Sequence, residues 1–228
     1  MLADADWSPL TAAPFEQVQK QRGGAVISIG DPLTHVFVVS AGWAIRYRVM
    51  QDGRRQIVNV MLPGDCFDLQ AMIETSADHA VEAITPLGLL RVRREEFLNA
   101  LRLNARLATA FWWAAVQEES VLREQIVRLG RRSGRERLAH LVLEIQRRLL
   151  LAGVSEGNTV SWPLSRELLA DMLGLSPVHI SRSFAALRRM GLVRTMSGAV
   201  HILDKARLAA LAQFDASYLH AETPARLG

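Results

Sequence analysis

The stretch Ser165–Val193, SRELLADMLGLSPVHISRSFAALRRMGLV, constrains this chain more tightly than any other. Ser165 can cap a short helix whose inward residues are Leu168, Leu169 and Met172. Gly174 can end that helix in the left-handed conformation, with Leu175 plugging the corner. Ser176 is a good N-cap, and Pro177 stands at the first helical position, where its missing N–H costs nothing. A second helix then buries Ile180, Phe184 and Leu187 and exposes His179, Ser181, Arg182, Ser183 and Arg189 before Gly191 closes it. Two short helices joined by a tight turn form a helix-turn-helix, and the second is sized for a DNA major groove. LVRT and AVHIL flank Met196-Ser197-Gly198 and predict a β-hairpin wing. A helical hairpin in an enzyme domain would not require this order of cap, turn, exposed arginine and wing.

Roles follow from side-chain chemistry. Arg182 is suited to a bidentate contact with guanine O6 and N7. His179 can bond a base or a phosphate. Ser176 and Ser181 are short donors suited to phosphate, and the helix N-terminus adds its own anion affinity. Arg189, with Arg188 and Arg194, reads either as a phosphate neighbour or as surface charge. Arg166 opens the first helix and is placed to touch the DNA backbone. The charge distribution agrees. Residues 1–120 hold 11 Lys and Arg against 14 Asp and Glu, a net of −3, and residues 121–228 hold 16 against 9, a net of +7. The overall +4 therefore belongs to the half that would meet a polyanion.

The N-terminal half reads as strands. Short apolar runs cover Ala25–Gly30, His35–Gly42, Ala44–Met50, Arg55–Met61, His79–Thr85 and Gly88–Val92. Ile45, Tyr47 and Val49 alternate with Arg46 and Arg48, which predicts one buried and one wetter face. Asp52-Gly53 signals a hairpin, Pro63-Gly64-Asp65 another turn, and Gly30, Gly42 and Gly64 suit barrel corners. Evenly spaced short strands imply a small antiparallel barrel or jelly roll.

From Asn99 to Leu129 there is no Pro or Gly, and Ala108, Phe111, Trp112, Ala115, Leu122, Ile126 and Leu129 recur at helical steps. A helix of roughly 45 Å needs its apolar stripe covered, and a second copy of the chain is the economical cover. Trp112 and Trp113 point about 100° apart, so they cannot serve one contact. Gly130-Arg131-Arg132-Ser133-Gly134 predicts a hinge, and Arg135–Leu151 a further helix.

One cysteine, Cys66, excludes an internal disulfide. There is no apolar run of about 18 residues for a membrane span. MLADADWSPL has no leader pattern, so a cytoplasmic location is expected, with no membrane partner. No catalytic or metal-ligating constellation is read. An enzyme on a cupin-like barrel would need clustered His and carboxylate ligands, and the strands offer only His35 and His79.

At this point the chain resembles the CRP/FNR superfamily of bacterial transcription regulators, from about Gly23 to Leu211. LTHVFVVSAGWAIRYRVMQDGRRQIVNVMLPGD is similar to the cyclic-nucleotide-binding barrel, and LLADMLGLSPVHISRSFAALRRMGLV to the winged helix-turn-helix. The resemblance implies an α+β fold: a double-stranded β-helix (jelly-roll) barrel over 1–98, a long dimerisation helix and hinge over 99–130, and a winged helix-turn-helix over 131–228. It implies a homodimer on a pseudo-palindromic operator in double-stranded DNA, control by a signal in the barrel, and contact with RNA polymerase. Arg182 falls on the family's recognition-helix arginine. Val178, also placed in the DNA-binding set, stands where many members have glutamate.

The barrel departs from the cyclic-AMP-binding pattern. Phe67-Asp68-Leu69-Gln70 lacks the glutamate of that pattern, and Ala77-Asp78-His79-Ala80 has Asp where a phosphate-binding Arg is expected. An aspartate would repel phosphate. Leu69, Gln70, Asp78 and His79 are the candidate effector-pocket residues. A single cysteine cannot ligate the iron–sulfur cluster of the oxygen-sensing branch. No cofactor is therefore expected, with haem (candidate ligands His35, His79, His140 and Cys66) or another small effector as alternatives. The competing function is a small-molecule sensor module whose main activity is not DNA binding.

Overall fold

The computed structural model describes residues 15–220. The segment MLADADWSPL and the outer ends of the expected first and last domains lie outside these residues. The chain divides into two compact units. Among the described residues the first comprises 15–48 and Val60–Ser120, and the second comprises Val49–Asn59 and 121–220.

Two four-stranded sheets are formed by β1 (Glu16–Lys20), β2 (Ala25–Ile27), β3 (His35–Ala41), β4 (Ala44–Val49), β5 (Arg55–Met61), β6 (Cys66–Phe67), β7 (Ala80–Ala83) and β8 (Leu87–Arg93). Their orders are β1-β8-β3-β6 and β2-β7-β4-β5. β3 pairs antiparallel with β8 from His35↔Arg93 to Val39↔Leu89, then shifts register before Ala41↔Gly88. Inward side chains including Val36, Val39, Met61, Phe67, Leu87 and Leu89 make the core, with the Phe37 and Phe67 rings stacked at 5.1 Å. Gly42 is required at its corner: its φ is +80°, and a Cβ there would collide with the carbonyl oxygen of Pro86.

Alternation predicts Val49 inside and Arg46 on the wetter face of β4; the structure shows the reverse. Val49 is 48% exposed near the end of the strand, and Arg46 is 8% exposed because carboxylates wait for it inside. β1 has no counterpart among the apolar runs. It is a polar edge strand, EQVQK, held by its ladder with β8.

The long helix also differs from expectation. α1 (Arg94–Leu103) stops at Asn104, whose extended backbone breaks the helix. Asn104 Oδ1 accepts the N–H groups of Arg106 (3.0 Å) and Leu107 (3.1 Å) and so starts α2 (Ala105–Arg131). Asparagine favours such caps over helix interiors. The long helix therefore begins at Ala105, not Asn99. It runs through Gly130, so only Arg132 and Ser133 separate it from α3 (Gly134–Leu151).

In the second unit α3 is central, with Leu138, Leu141, Val142, Ile145 and Leu149 buried. Around it lie β9 (Thr159–Ser161), α4 (Arg166–Leu173), α5 (Pro177–Arg189), β10 (Val193–Met196), β11 (Ala199–Ile202) and α6 (Lys205–Ala212). β9 joins the expected wing hairpin to make the sheet β10-β11-β9. Arg128 of α2 is buried here between Glu144, His140 Nδ1 (3.1 Å) and Gln125, and Tyr218 donates to Glu144 at 2.7 Å. Burial, then the charges of Arg128 and Arg132, push the His140 pKa down to about 2, so its ring is neutral.

Candidate nucleic-acid interface and barrel interior

The turn between α4 and α5 forms as its residues dictate. Ser165 Oγ accepts the Leu168 N–H at 3.2 Å, and Gly174 ends α4 at φ 61°. Ser176 Oγ accepts the His179 N–H at 3.2 Å and starts α5 at Pro177. Ile180, Phe184 and Leu187 face inward, and Phe184 meets Trp162 edge-on at 6.4 Å. Val178, His179, Arg182, Arg188 and Arg189 are exposed. The other face therefore carries charge and one exposed branched apolar side chain.

Two expected residues are placed differently. Ser183 is buried, 8% exposed, and does not share the outer face; its Oγ lies close to Gly134. Ser181 is bonded on both sides, donating to the Pro177 carbonyl at 2.9 Å and accepting from Arg166 Nη1 at 2.7 Å. Its hydroxyl thus holds Arg166 of α4 against α5. Arg188 reaches the wing, donating to Thr195 Oγ1 at 3.2 Å.

On α2, Trp112 is 74% exposed and Ile126 is 71% exposed; their 14-residue separation keeps them on one face, beside Val127 at 45%. Ala108, Ala115 and Leu122 are half-buried beside that face. Phe111 and Leu129 turn to their own chain. Phe111 packs edge-on against Phe97 at 4.7 Å, part of the barrel's packing, and Leu129 lies beside Gly174. Helical periodicity groups these residues, but it cannot say which edge of the stripe the same chain has already covered.

The barrel interior holds a charge network that no motif announces. Asp68, 2% exposed, adopts φ 61° and offers Oδ1 to Arg46 Nη2 at 3.2 Å and to His79 Nε2 at 3.0 Å. His79 Nδ1 is 2.9 Å from Asp78 Oδ1, and Arg46 Nη1 bonds Glu118 of α2. A ring with a carboxylate at each nitrogen needs both N–H groups, which is the imidazolium. Burial opposes that charge, yet the bonds to Asp68 and Asp78 carry the His79 pKa above its ordinary value. Among the described residues, Arg46 Nε and Asp68 Oδ2 are buried without a hydrogen-bond partner.

Of the expected pocket residues, His79 and Asp78 belong to this network, Leu69 packs on the core and Gln70 is exposed. A cyclic nucleotide does not fit these residues. The buried cation is committed to Asp68 and Glu118, and its neighbours are carboxylates that would face the phosphate. Three of the haem candidates, His79, His140 and Cys66, are committed as well. Both nitrogens of His79 and of His140 have partners, and burial pushes the Cys66 thiol far above the range where thiolate forms; His35 bonds Thr34 through Nδ1 alone. Among the described residues no group of three or more His, Cys, Asp or Glu is placed to hold a metal ion, and no helix is long and apolar enough to cross a membrane.

Residues 17–104 match the cyclic nucleotide-binding domain family, and residues 136–211 match the Crp-like helix-turn-helix domain family. The chain is 34% identical, over 86% of its length and 81% of the relative's, to the nitrogen fixation regulation protein FixK of Bradyrhizobium diazoefficiens. It belongs to the CRP/FNR family. A second member, the transcriptional activator protein FnrL of Cereibacter sphaeroides, is 33% identical over 86% of this chain and 82% of that protein. Among solved structures, FixK2 from Bradyrhizobium japonicum superposes with a TM-score of 0.79 at 27% identity, covering 87% of this chain and 97% of FixK2. This CRP/FNR member is accordingly a DNA-binding transcription regulator, with α4 and α5 as its helix-turn-helix.

Proposed function

We propose that the protein acts in the cytoplasm as a homodimer that places α5 of each protomer in successive major grooves of a pseudo-palindromic operator. The observation that carries this reading is the division of α5 into a buried face of Ile180, Phe184 and Leu187 and an exposed face with Arg182 within the first two turns after the Ser176 cap. Arg182 contacts guanine, and His179 and the Val178 N–H at the start of the helix meet base or phosphate. Ser176 serves as cap and Ser181 as the brace for Arg166, which with Arg189 approaches the DNA backbone. Trp112, Ala115, Leu122, Ile126 and Ala108 form the contact between copies, and no part of the reading needs catalysis. RNA polymerase is the partner at the promoter. The barrel answers to a signal other than a cyclic nucleotide, its buried Arg46 being paired with the chain's own carboxylates Asp68 and Glu118.

The test is a gel-shift titration of wild type and Arg182→Ala on genomic fragments at fixed salt. Arg182→Ala should lose about 1–3 kcal/mol of discrimination between operator and scrambled duplex while remaining dimeric. Equal affinity of wild type for operator and scrambled DNA would refute specific readout.

A further inference from the structure

We infer that Val178 is a specificity-determining residue that reads the 5-methyl group of thymine. The inference rests on the placement of α5 in a major groove and extends it to the identity of one base.

Val178 is the second residue of α5, directly after the Ser176 cap and Pro177. It is 58% exposed, whereas the other large apolar residues of the helix (Ile180, Phe184 and Leu187) are buried. Its neighbours at this end are occupied locally. Ser176 Oγ lies 3.2 Å from both the N–H and Nδ1 of His179, and Ser181 is bonded to Pro177 and Arg166. Arg182 follows Val178 by four residues and so shares its face. The leading face of the helix therefore presents two dissimilar groups side by side, an isopropyl and a guanidinium.

The floor of the major groove carries donors and acceptors on every base pair, and one apolar group, the thymine methyl. An isopropyl pressed onto guanine, adenine or cytosine displaces water from polar edges and gives nothing back. Against a thymine methyl it buries apolar surface on both partners. A β-branched side chain on a helix is held near one rotamer, so little freedom is lost on contact. Nor has Val178 an acceptor for the cytosine amino group, which an acidic side chain at this position would have. Four residues of helix rise about 6 Å. With base pairs about 3.4 Å apart, the thymine lies within about two pairs of the guanine read by Arg182.

The experiment starts by selecting duplexes from a random pool with the full-length protein at fixed ionic strength. The enriched half-site should contain a thymine beside the Arg182-dependent guanine. That operator is then remade with deoxyuridine for the thymine, which removes the methyl and nothing else. Wild type should bind the substituted operator about fourfold more weakly per half-site, and about fifteenfold more weakly with both half-sites changed. Val178→Ala should bind the two operators equally. A sharp motif that wild type binds equally with thymine or deoxyuridine overturns the role of Val178 and leaves groove binding intact. Enrichment of no motif overturns groove readout, and the role of Val178 with it.

Discussion

Replacing Arg46 with Met exposes what the barrel network contributes. The substitution keeps an unbranched chain in place of the arginine stem and removes the charge. Glu118, with 24% of its side chain exposed, can turn toward water at small cost, but the Asp68 side chain is 0% exposed and cannot. Removing one partner of a buried pair costs about 3–5 kcal/mol. His79, 3.0 Å from Asp68, still neutralises it while protonated. The folded-state pKa of His79 lies above its ordinary 6.5, so its contribution is fully present below about 6.5 and is lost as pH rises through the folded value. Wild type keeps Arg46 through that range and the variant does not. The deficit of Arg46→Met should therefore sit near the low end, about 3 kcal/mol, at about pH 6 and grow toward about 5 kcal/mol at about pH 8.5. Urea titrations followed by circular dichroism at the two pH values measure it. Arg46→Met combined with Asp68→Asn removes both charges, and asparagine tolerates the left-handed backbone at residue 68. The double variant should recover at least about 2 kcal/mol at the higher pH. A cost below about 1 kcal/mol at both pH values, or strictly additive single effects, would refute the reasoning.

Three further outcomes follow from named contacts. Ile126→Glu places a charge in the exposed stripe of α2 and should yield monomers by light scattering with an unchanged circular dichroism spectrum; a persistent dimer would remove the stripe from the interface. Gly42→Ala forces a Cβ onto the Pro86 carbonyl at positive φ and should cost about 2 kcal/mol or more in urea unfolding. The His140 ring should show no titration by NMR between about pH 4 and 8, because its pKa is held at about 2 by burial and by Arg128 and Arg132.

The helix-turn-helix was legible because its signals are local. Ser165, Gly174, Ser176 and Pro177 each act within a few residues of where they stand, so spacing alone orders them. The barrel strands were legible for the same reason wherever a strand buries one face. β1 was not, because an edge strand needs only a backbone ladder and EQVQK carries a single apolar residue. The break at Asn104 was written in its residue type, yet the absence of Pro and Gly hid it. Arg46, Asp68 and Glu118 were out of reach: the pairs lie 22 and 72 residues apart, and each side chain by itself resembles surface charge. Phe111 shows the same limit, since a periodic stripe does not reveal that Phe97 has already taken one of its members.

The most direct test of the account is the sequence that the intact protein selects from random duplex DNA. The account predicts an inverted repeat with a guanine in each half-site, the half-site centres about one helical turn, 10–10.5 base pairs, apart or a multiple of it. Arg182→Ala should lose the guanine and keep the spacing. Selection of a single unrepeated site, or of no sequence at all, would contradict it.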